Sequence, residues 1–470
     1  MRQGESKVKW RVLRHRVSFI GMIVIVATVV AVVVHFPRQA VHSAAASSGD
    51  WPTYLGNNAH TGYNNAETAI TATTAQNLKV HWTYSTGGAI STQPVEVNGM
   101  VYWGSWDGNE YATDLSGNKI WSTPISTATL DCTSTNIFGA VSTATVADVL
   151  INGIPTSVVF VGGKQALYAL DAMTGTVIWK TILNSSSGAF IWSSPAVYNG
   201  SVYIGVSSVD DCPLVQGALV QVDTITGAIQ HTFSVVPNGC LGGSIWSSPT
   251  IDEATGTIYV STGNKGSCKT KEIYAAALVK LSALDLSVID SWQVPASEQI
   301  SDGDFGATPT LFTATVASTA LNMVGAINKN GTFYALDRSS LQTGPVWRAK
   351  IGTGRINIAP AAWDGTTLYV ASRGTTIGGT KCYGSLRAVN PASGAFMWEH
   401  CLSKPVLGAV SLVQGVAFVG AGAHVVAMAT TTGQTLFDYK TSKAIDGAAS
   451  ISNGVVYVGN TSGTLYAFGF

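Results

Sequence analysis

The chain has 470 residues and no net charge, 26 basic against 26 acidic, so it carries no electrostatic footprint for nucleic acid. Charged residues are only 11% of the total, against about 25% in an average soluble domain, while glycine fills 50 positions. That balance points to an exported β protein rather than to a cytoplasmic mixed fold.

In chain order, Arg2, Lys7, Lys9, Arg11, Arg14 and Arg16 cluster in residues 1–16, ahead of an apolar run from Val17 to Phe36. The run is about long enough to cross a hydrocarbon core as a helix, and the positive flank places its N-terminal side in the cytoplasm. We therefore expect a cytoplasmic basic segment over 1–16, a transmembrane signal anchor over 17–36 and a flexible linker over 37–50, with everything beyond on the extracytoplasmic side. A signal peptide cleaved near Ala44-Ala45-Ala46, giving a secreted product, is the alternative.

Trp51 to Tyr63 lacks period-two alternation and reads as an entry loop. Lys79 to Trp82 follows as an aromatic strand that no preceding hairpin claims. Beyond it the chain repeats itself. Ala169 to Trp179 reads as a strand, a tight turn led by Asp171 and Thr174-Gly175, and a returning strand that ends in an aromatic. Degraded copies put Trp121, His231, Trp292, Trp347, Trp398 and Phe437 at the position of Trp179. Gly175 leaves room for close approach, and Trp179 offers a broad apolar face and an indole N–H for a neighbouring carbonyl.

The last copy stops at Ala467 and has no returning strand, so Trp82 must supply it and close a ring. A second repeat, Ser/Ala-x-Pro followed by an apolar strand, has its phases at Pro94, Ala144, Pro195, Pro249, Pro309, Pro360, Val410 and Ala449, about fifty residues apart. Both repeats give the same architecture: an all-β, eight-bladed β-propeller of four-stranded antiparallel blades over 51–470, preceded by the transmembrane helix. A closed ring needs no capping repeat and is expected to be monomeric.

Six cysteines in an exported chain suggest disulfides. Cys382 with Cys401 would join strands within one blade, and Cys212 with Cys240 would brace the loop over blade 3. Cys132 with Cys268 is then left by elimination.

Trp51-Pro52, the Ala-x-Asp-x-x-Thr-Gly-x-x-x-Trp hairpins and the Ser-Ser-Pro strands resemble the quinoprotein alcohol dehydrogenase (pyrroloquinoline quinone repeat) family of β-propellers, and within it the polyvinyl-alcohol-dehydrogenase-like members. The resemblance implies an oxidoreductase that uses pyrroloquinoline quinone (PQQ) and calcium. Trp246 stands where the family's tryptophan stacks on the quinone. Thr262-Gly263-Asn264 matches the segment whose asparagine binds calcium. Asp302-Gly303-Asp304 resembles the segment that supplies the catalytic base and a calcium contact, which makes Asp304 or Asp302 the base and Asp304 also a metal ligand. Asn328-Lys329-Asn330-Gly331 is similar to the turn whose basic side chain contacts the quinone oxygens, so Lys329 and Asn330 join the cofactor-binding set.

Two departures weigh against catalysis. The family's calcium-binding glutamate falls on Cys212, with Asp210 and Asp211 adjacent and Asp211 the candidate substitute. There is no Cys-x-x-Cys-His for haem and no adjacent cysteine pair, so an external electron acceptor is expected of an enzyme. The alternative is a non-catalytic propeller scaffold that binds a protein or polysaccharide in the cell envelope.

Overall fold

The computed structural model describes residues 49–129, 137–211 and 213–470. The basic segment 1–16, the apolar run 17–36 and nearly all of the linker lie outside the described residues. Among the described residues no helix is long and apolar enough to cross a membrane.

The described residues form eight four-stranded antiparallel blades, two of them with one extra short strand, and a separate two-stranded ribbon. Blade 1 pairs Val95–Val97, Met100–Gly104, Asn109–Asp114 and Lys119–Pro124 in sequence order. Blades 2 to 7 repeat this meander. Blade 8 takes three strands from the C-terminus, Ser450–Ser452, Val455–Gly459 and Thr464–Gly469, and its outer strand, Lys79–Ser85, from the N-terminal side. In that last pair Trp82 sits directly opposite Ala467, so the ring closes where the truncated repeat requires it. Closure leaves no long unprotected edge.

The aromatic repeat explains how blades adhere. Ala169 opposes Trp179 just before a register shift, and the same pairing recurs at Ala112 with Trp121 and Ala388 with Trp398. Each indole reaches forward to the turn of the next blade. Trp121 Nε1 donates to the Ala172 carbonyl at 2.9 Å, Trp179 to Thr224 at 3.1 Å and Trp398 to Thr430 at 2.7 Å. The turn glycine is what admits the ring: Gly175 has φ +71°, and a Cβ there would lie 2.6 Å from the Trp121 ring. Blade 4 departs from the pattern. Its register places Asp290 opposite Lys280 at the aromatic position, and Trp292 falls two residues further on, opposite Leu278. Asp290 Oδ2 still bridges forward, accepting from Leu341 N at 2.6 Å, and Trp292 packs on Tyr334 with ring centres 4.9 Å apart.

The segment read as an entry loop is an axial plug instead. The innermost strand of each blade has an edge with unmet backbone groups, and residues 51–64 meet one or more on every blade. Trp51 N donates to Glu96 O, Val146 N to Pro52 O, Ile251 N to Asn58 O, Leu311 N to Ala59 O, Trp363 N to Thr61 O and Leu412 N to Gly62 O. Asn58 and Asn64 reach Val197 O and Ile451 O with their side-chain amides. Tyr63–Asn64 even pairs as a short parallel strand with blade 7. The segment has no alternation because its neighbours on every side are strand edges, not a face.

The described disulfides are Cys382–Cys401, which joins neighbouring strands of blade 6, and Cys240–Cys268. The second corrects two expectations. Cys240 does not pair with Cys212, nor Cys268 with Cys132, because the long blade 4 loop carrying Cys268 folds back over the loop carrying Cys240, with Ser267 N donating to Leu241 O at 2.9 Å. Cys132 and Cys212 lie outside the described residues.

Candidate active site

Four segments are laced together by backbone bonds on one side of the ring. Gly243 N donates to Asn264 O at 2.8 Å and Gly263 N to Ser244 O at 2.7 Å, which ties the Asn264 loop to the strand lead that carries Trp246. Lys329 N donates to Asp304 O at 3.1 Å. The buried Asn328 side chain completes the clamp by donating to both Gly303 O and Asp304 O, at 2.9 and 3.0 Å. Its role as a clamp was not evident from sequence, where it reads only as the first residue of a turn. The Trp246 ring edge rests on Gly306, where a Cβ would be 2.1 Å from Cη2.

These segments enclose a cavity of about 240 Å³ lined by Trp246, Asn264, Asp302, Asp304, Lys329 and Asp211, among others. The sequence therefore named most of one wall. Asn330 is not part of it: its amide is committed to the Tyr334 hydroxyl at 2.9 Å and to Glu298 O at 3.1 Å beneath the turn. Trp192, Asp210, Ser207, Ser208 and Ser244 are also part of the lining, and no motif pointed to the three serines.

The polar groups form one chain. Trp246 Nε1 donates to Asp304 Oδ2 at 3.0 Å. Lys329 Nζ lies 2.7 Å from Asp304 Oδ1 and 2.6 Å from Asp302 Oδ1, and 5.1 Å from the centre of the Trp246 ring. Asn264 Nδ2 donates to Asp302 Oδ1 at 2.8 Å. Asp302 holds a left-handed backbone, φ +57°, which aspartate tolerates better than most residues.

Burial governs the electrostatics. Asp304 is pushed up to about 6 by desolvation, against the opposing pull of Lys329 and the Trp246 N–H. Desolvation also raises Asp211, again opposed by Lys329 and reinforced by Asp302 and Asp210. Lys329 pays a desolvation penalty that Asp304 and Asp302 outweigh, so its ammonium is held more firmly than in water. Four carboxylates thus face one cation in a small space.

The family model for the glucose, ethanol and alcohol dehydrogenase β-propeller domain matches residues 51–350. The chain belongs to the PQQ β-propeller family. A second model, for the outer membrane protein assembly factor BamB, matches residues 329–469. Among curated PQQ relatives, the polyvinylalcohol dehydrogenase of Sphingopyxis sp. is 25% identical over 76% of this chain and 62% of its own length. The quinohemoprotein alcohol dehydrogenase of Comamonas testosteroni is 27% identical over 64% of this chain and 46% of its own. The matches thus span less than two thirds of those proteins. The solved structure of the Comamonas enzyme superposes with a TM-score of 0.73 at 20% identity, covering 90% of this chain and 81% of that one, a likeness of fold.

Does the wall of this PQQ propeller suit the cofactors its family implies? Asp302, Asp304 and the amide of Asn264 offer the hard oxygen donors that calcium takes, but two carboxylates and an amide are fewer than the ~6–8 oxygens of a calcium shell. Among the described residues no three acidic, histidine or cysteine side chains come together tightly enough to hold a metal by themselves. The Lys329 ammonium stands between the two carboxylates instead. For a flat, anionic quinone the fit is better: an indole fixed by its own N–H bond, and a lysine above that ring. The donor chemistry fits the quinone; for calcium it supplies hard oxygens for part of a shell, the rest of which has to come from outside this wall.

Proposed function

We propose that this propeller is a PQQ- and calcium-dependent dehydrogenase that oxidises an alcohol, of the polyvinyl-alcohol type. The observation that carries the reading is the continuous chain Trp246, Asp304, Lys329, Asp302, Asn264 within a single cavity. Bound PQQ would supply a two-electron acceptor for hydride, and calcium a Lewis acid.

The protein's own groups do the rest. Asp304 takes the hydroxyl proton of the alcohol: it is ionised at neutral pH, and its pKa of about 6 makes it a better base than an ordinary carboxylate. Lys329 keeps that carboxylate charged despite burial, and its ammonium is placed to meet the anionic edge of the quinone. Trp246 holds Asp304 Oδ2 in one orientation and offers a flat face to the ring system. Asn264 fixes Asp302, which would share the cation with Asp304.

The proposal is tested by adding PQQ and Ca²⁺ to the purified protein and following tryptophan fluorescence, then dye reduction with small alcohols and polyvinyl alcohol. Saturable quenching with alcohol-dependent dye reduction is expected. No quenching, and no turnover, would leave a scaffold that binds an envelope partner. The same proposal puts the propeller outside the cytoplasm on its N-terminal anchor, supported by the apolar run 17–36 and by disulfides that persist in oxidising compartments. Protease digestion of intact against permeabilised cells tests that placement.

A further inference from the structure

Blade 6 breaks the regularity of the ring. The third strand is six residues long in every other blade but runs over ten, Thr380–Val389, in blade 6. Its partner, Leu368–Ile377, is also ten residues long, and the two stay in register to Ile377 opposite Thr380. They form an arm that rises past the neighbouring turns on the side where blade 5 presents Lys329.

The arm is anchored along its length. The Cys382–Cys401 disulfide joins it to the outer strand. The buried Arg387 pairs with Glu399 at 2.7 Å and donates to Thr375 Oγ1 at 2.9 Å. Thr353 N donates to Gly374 O at 2.7 Å, so the segment arriving from blade 5 forms the facing wall.

Between arm and wall lies a cleft of about 570 Å³ lined by Arg355, Arg373, Lys381 and Tyr383, and by no carboxylate. Charge pairing elsewhere makes this set stand out. The described residues contain five arginines, and Arg338, Arg348 and Arg387 each meet a carboxylate. Arg355 and Arg373, the two that do not, line the same cleft. Lys381 Nζ has no carboxylate either and lies 5.7 Å from the centre of the Tyr383 ring, which is 60% exposed. Three like charges gathered in a concavity repel one another, and a bound anion is the arrangement that relieves them. Guanidinium groups suit carboxylate and phosphate in particular, since their planar forks donate two parallel bonds. The volume lies in the range of small-molecule sites, about 300–1,000 Å³.

We propose that this cleft binds a small organic anion carrying two or more carboxylate or phosphate groups, gripped by Arg355, Arg373 and Lys381 with Tyr383 against its carbon frame. The site is separate from the acidic cavity but adjoins it. Asn357 Oδ1 accepts from Arg373 N at 3.1 Å while its Nδ2 donates to Lys329 O at 3.3 Å, so one buried side chain forms the partition. The proposal does not depend on the catalytic reading.

Titration calorimetry on the purified full chain, in low-salt buffer, tests it with citrate and pyrophosphate as separate probes. At least one is expected to bind saturably with one site per chain, and the preferred probe tells carboxylate from phosphate recognition. The double variant Arg355→Gln with Arg373→Gln should weaken that binding by about tenfold or more, each lost charged hydrogen bond being worth roughly that factor. Its melting temperature should not change, because both side chains are exposed. No saturable heat with either probe overturns the proposal, as does equal affinity in the double variant. Binding that survives the double variant but is lost in Lys329→Met would place the anion in the acidic cavity and overturn it too.

Discussion

Two cavities adjoin across Asn357, and their charge is handled in opposite ways. In the acidic cavity Asp210, Asp211, Asp302 and Asp304 crowd one lysine, and burial raises both Asp304 and Asp211. In the blade 6 cleft three cations stand in solvent without any acid. A buried charge cluster must be internally compensated, so a change to any one of its members moves stability, up or down according to the charge removed. An exposed one is screened by water and salt, so it is free to serve a ligand. The difference in burial, more than in sign, is what sets the two cavities apart.

The comparison can be broken most decisively at Asp304. Asp304→Asn should lower turnover of the PQQ-loaded protein by about 10²–10⁴, the usual worth of a positioned base. Its effect on stability has the opposite sign. The folded pKa of about 6 lies above the model value of 3.8, so this group favours the fold below 3.8 and loses that contribution as pH rises through 6. The variant should therefore gain more in melting temperature at pH 8 than at pH 4. A loss at pH 8 would show that the ion pair with Lys329 outweighs desolvation.

Next in size is Lys329→Met, which strips the acidic cavity of its cation and should cost about 3–5 kcal/mol by denaturant unfolding at pH 8. At pH 4, where Asp304 is protonated, the cost should shrink. The pH profile follows as a smaller effect: kcat/KM should fall about tenfold per unit on the acid side of the Asp304 midpoint, which lies at about 6 in the metal-free protein and is drawn lower by a cation on its carboxylate. A profile that stays flat down to about pH 4 would remove Asp304 from the base role. Smallest of all, Lys381→Met makes the same chemical change in the blade 6 cleft and should shift stability by no more than about 0.5 kcal/mol. Equal costs at Lys329 and Lys381 would erase the distinction drawn above.

The eight-fold repeat and its closure were legible because period-two alternation and the turn-plus-aromatic spacing are local signals, repeated often enough to survive degraded copies. Trp82 opposite Ala467 follows from counting alone. The aromatic count was less secure in detail, since blade 4 holds Asp290 where Trp292 was expected. A carboxylate accepting from the next blade does the work of an indole donating to it, and composition does not reveal the swap. Five residues of the acidic wall came from motif resemblance, and the structure brings Trp246, Asn264, Asp302, Asp304 and Lys329 together. What escaped was non-local. Pairing of Cys240 with Cys268 depends on how two loops cross, and the unpaired state of Arg355 and Arg373 depends on where every carboxylate lies.

The axial plug has a consequence for how the molecule comes to be. Asn64 finds its partner in Ile451, 387 residues later, and the blade 8 sheet joins both ends of the ring. A nascent chain that has made its first seven sheets already carries the plug and the Lys79–Ser85 strand, but it still lacks the three C-terminal strands that pair with that strand and seal the circle. Non-local pairing of this kind slows folding and leaves sticky intermediates. Assembly is accordingly all or nothing: synthesis must be finished before any blade is safe from its neighbours, and a chaperone that shields strand edges during that interval would shorten the period of greatest exposure.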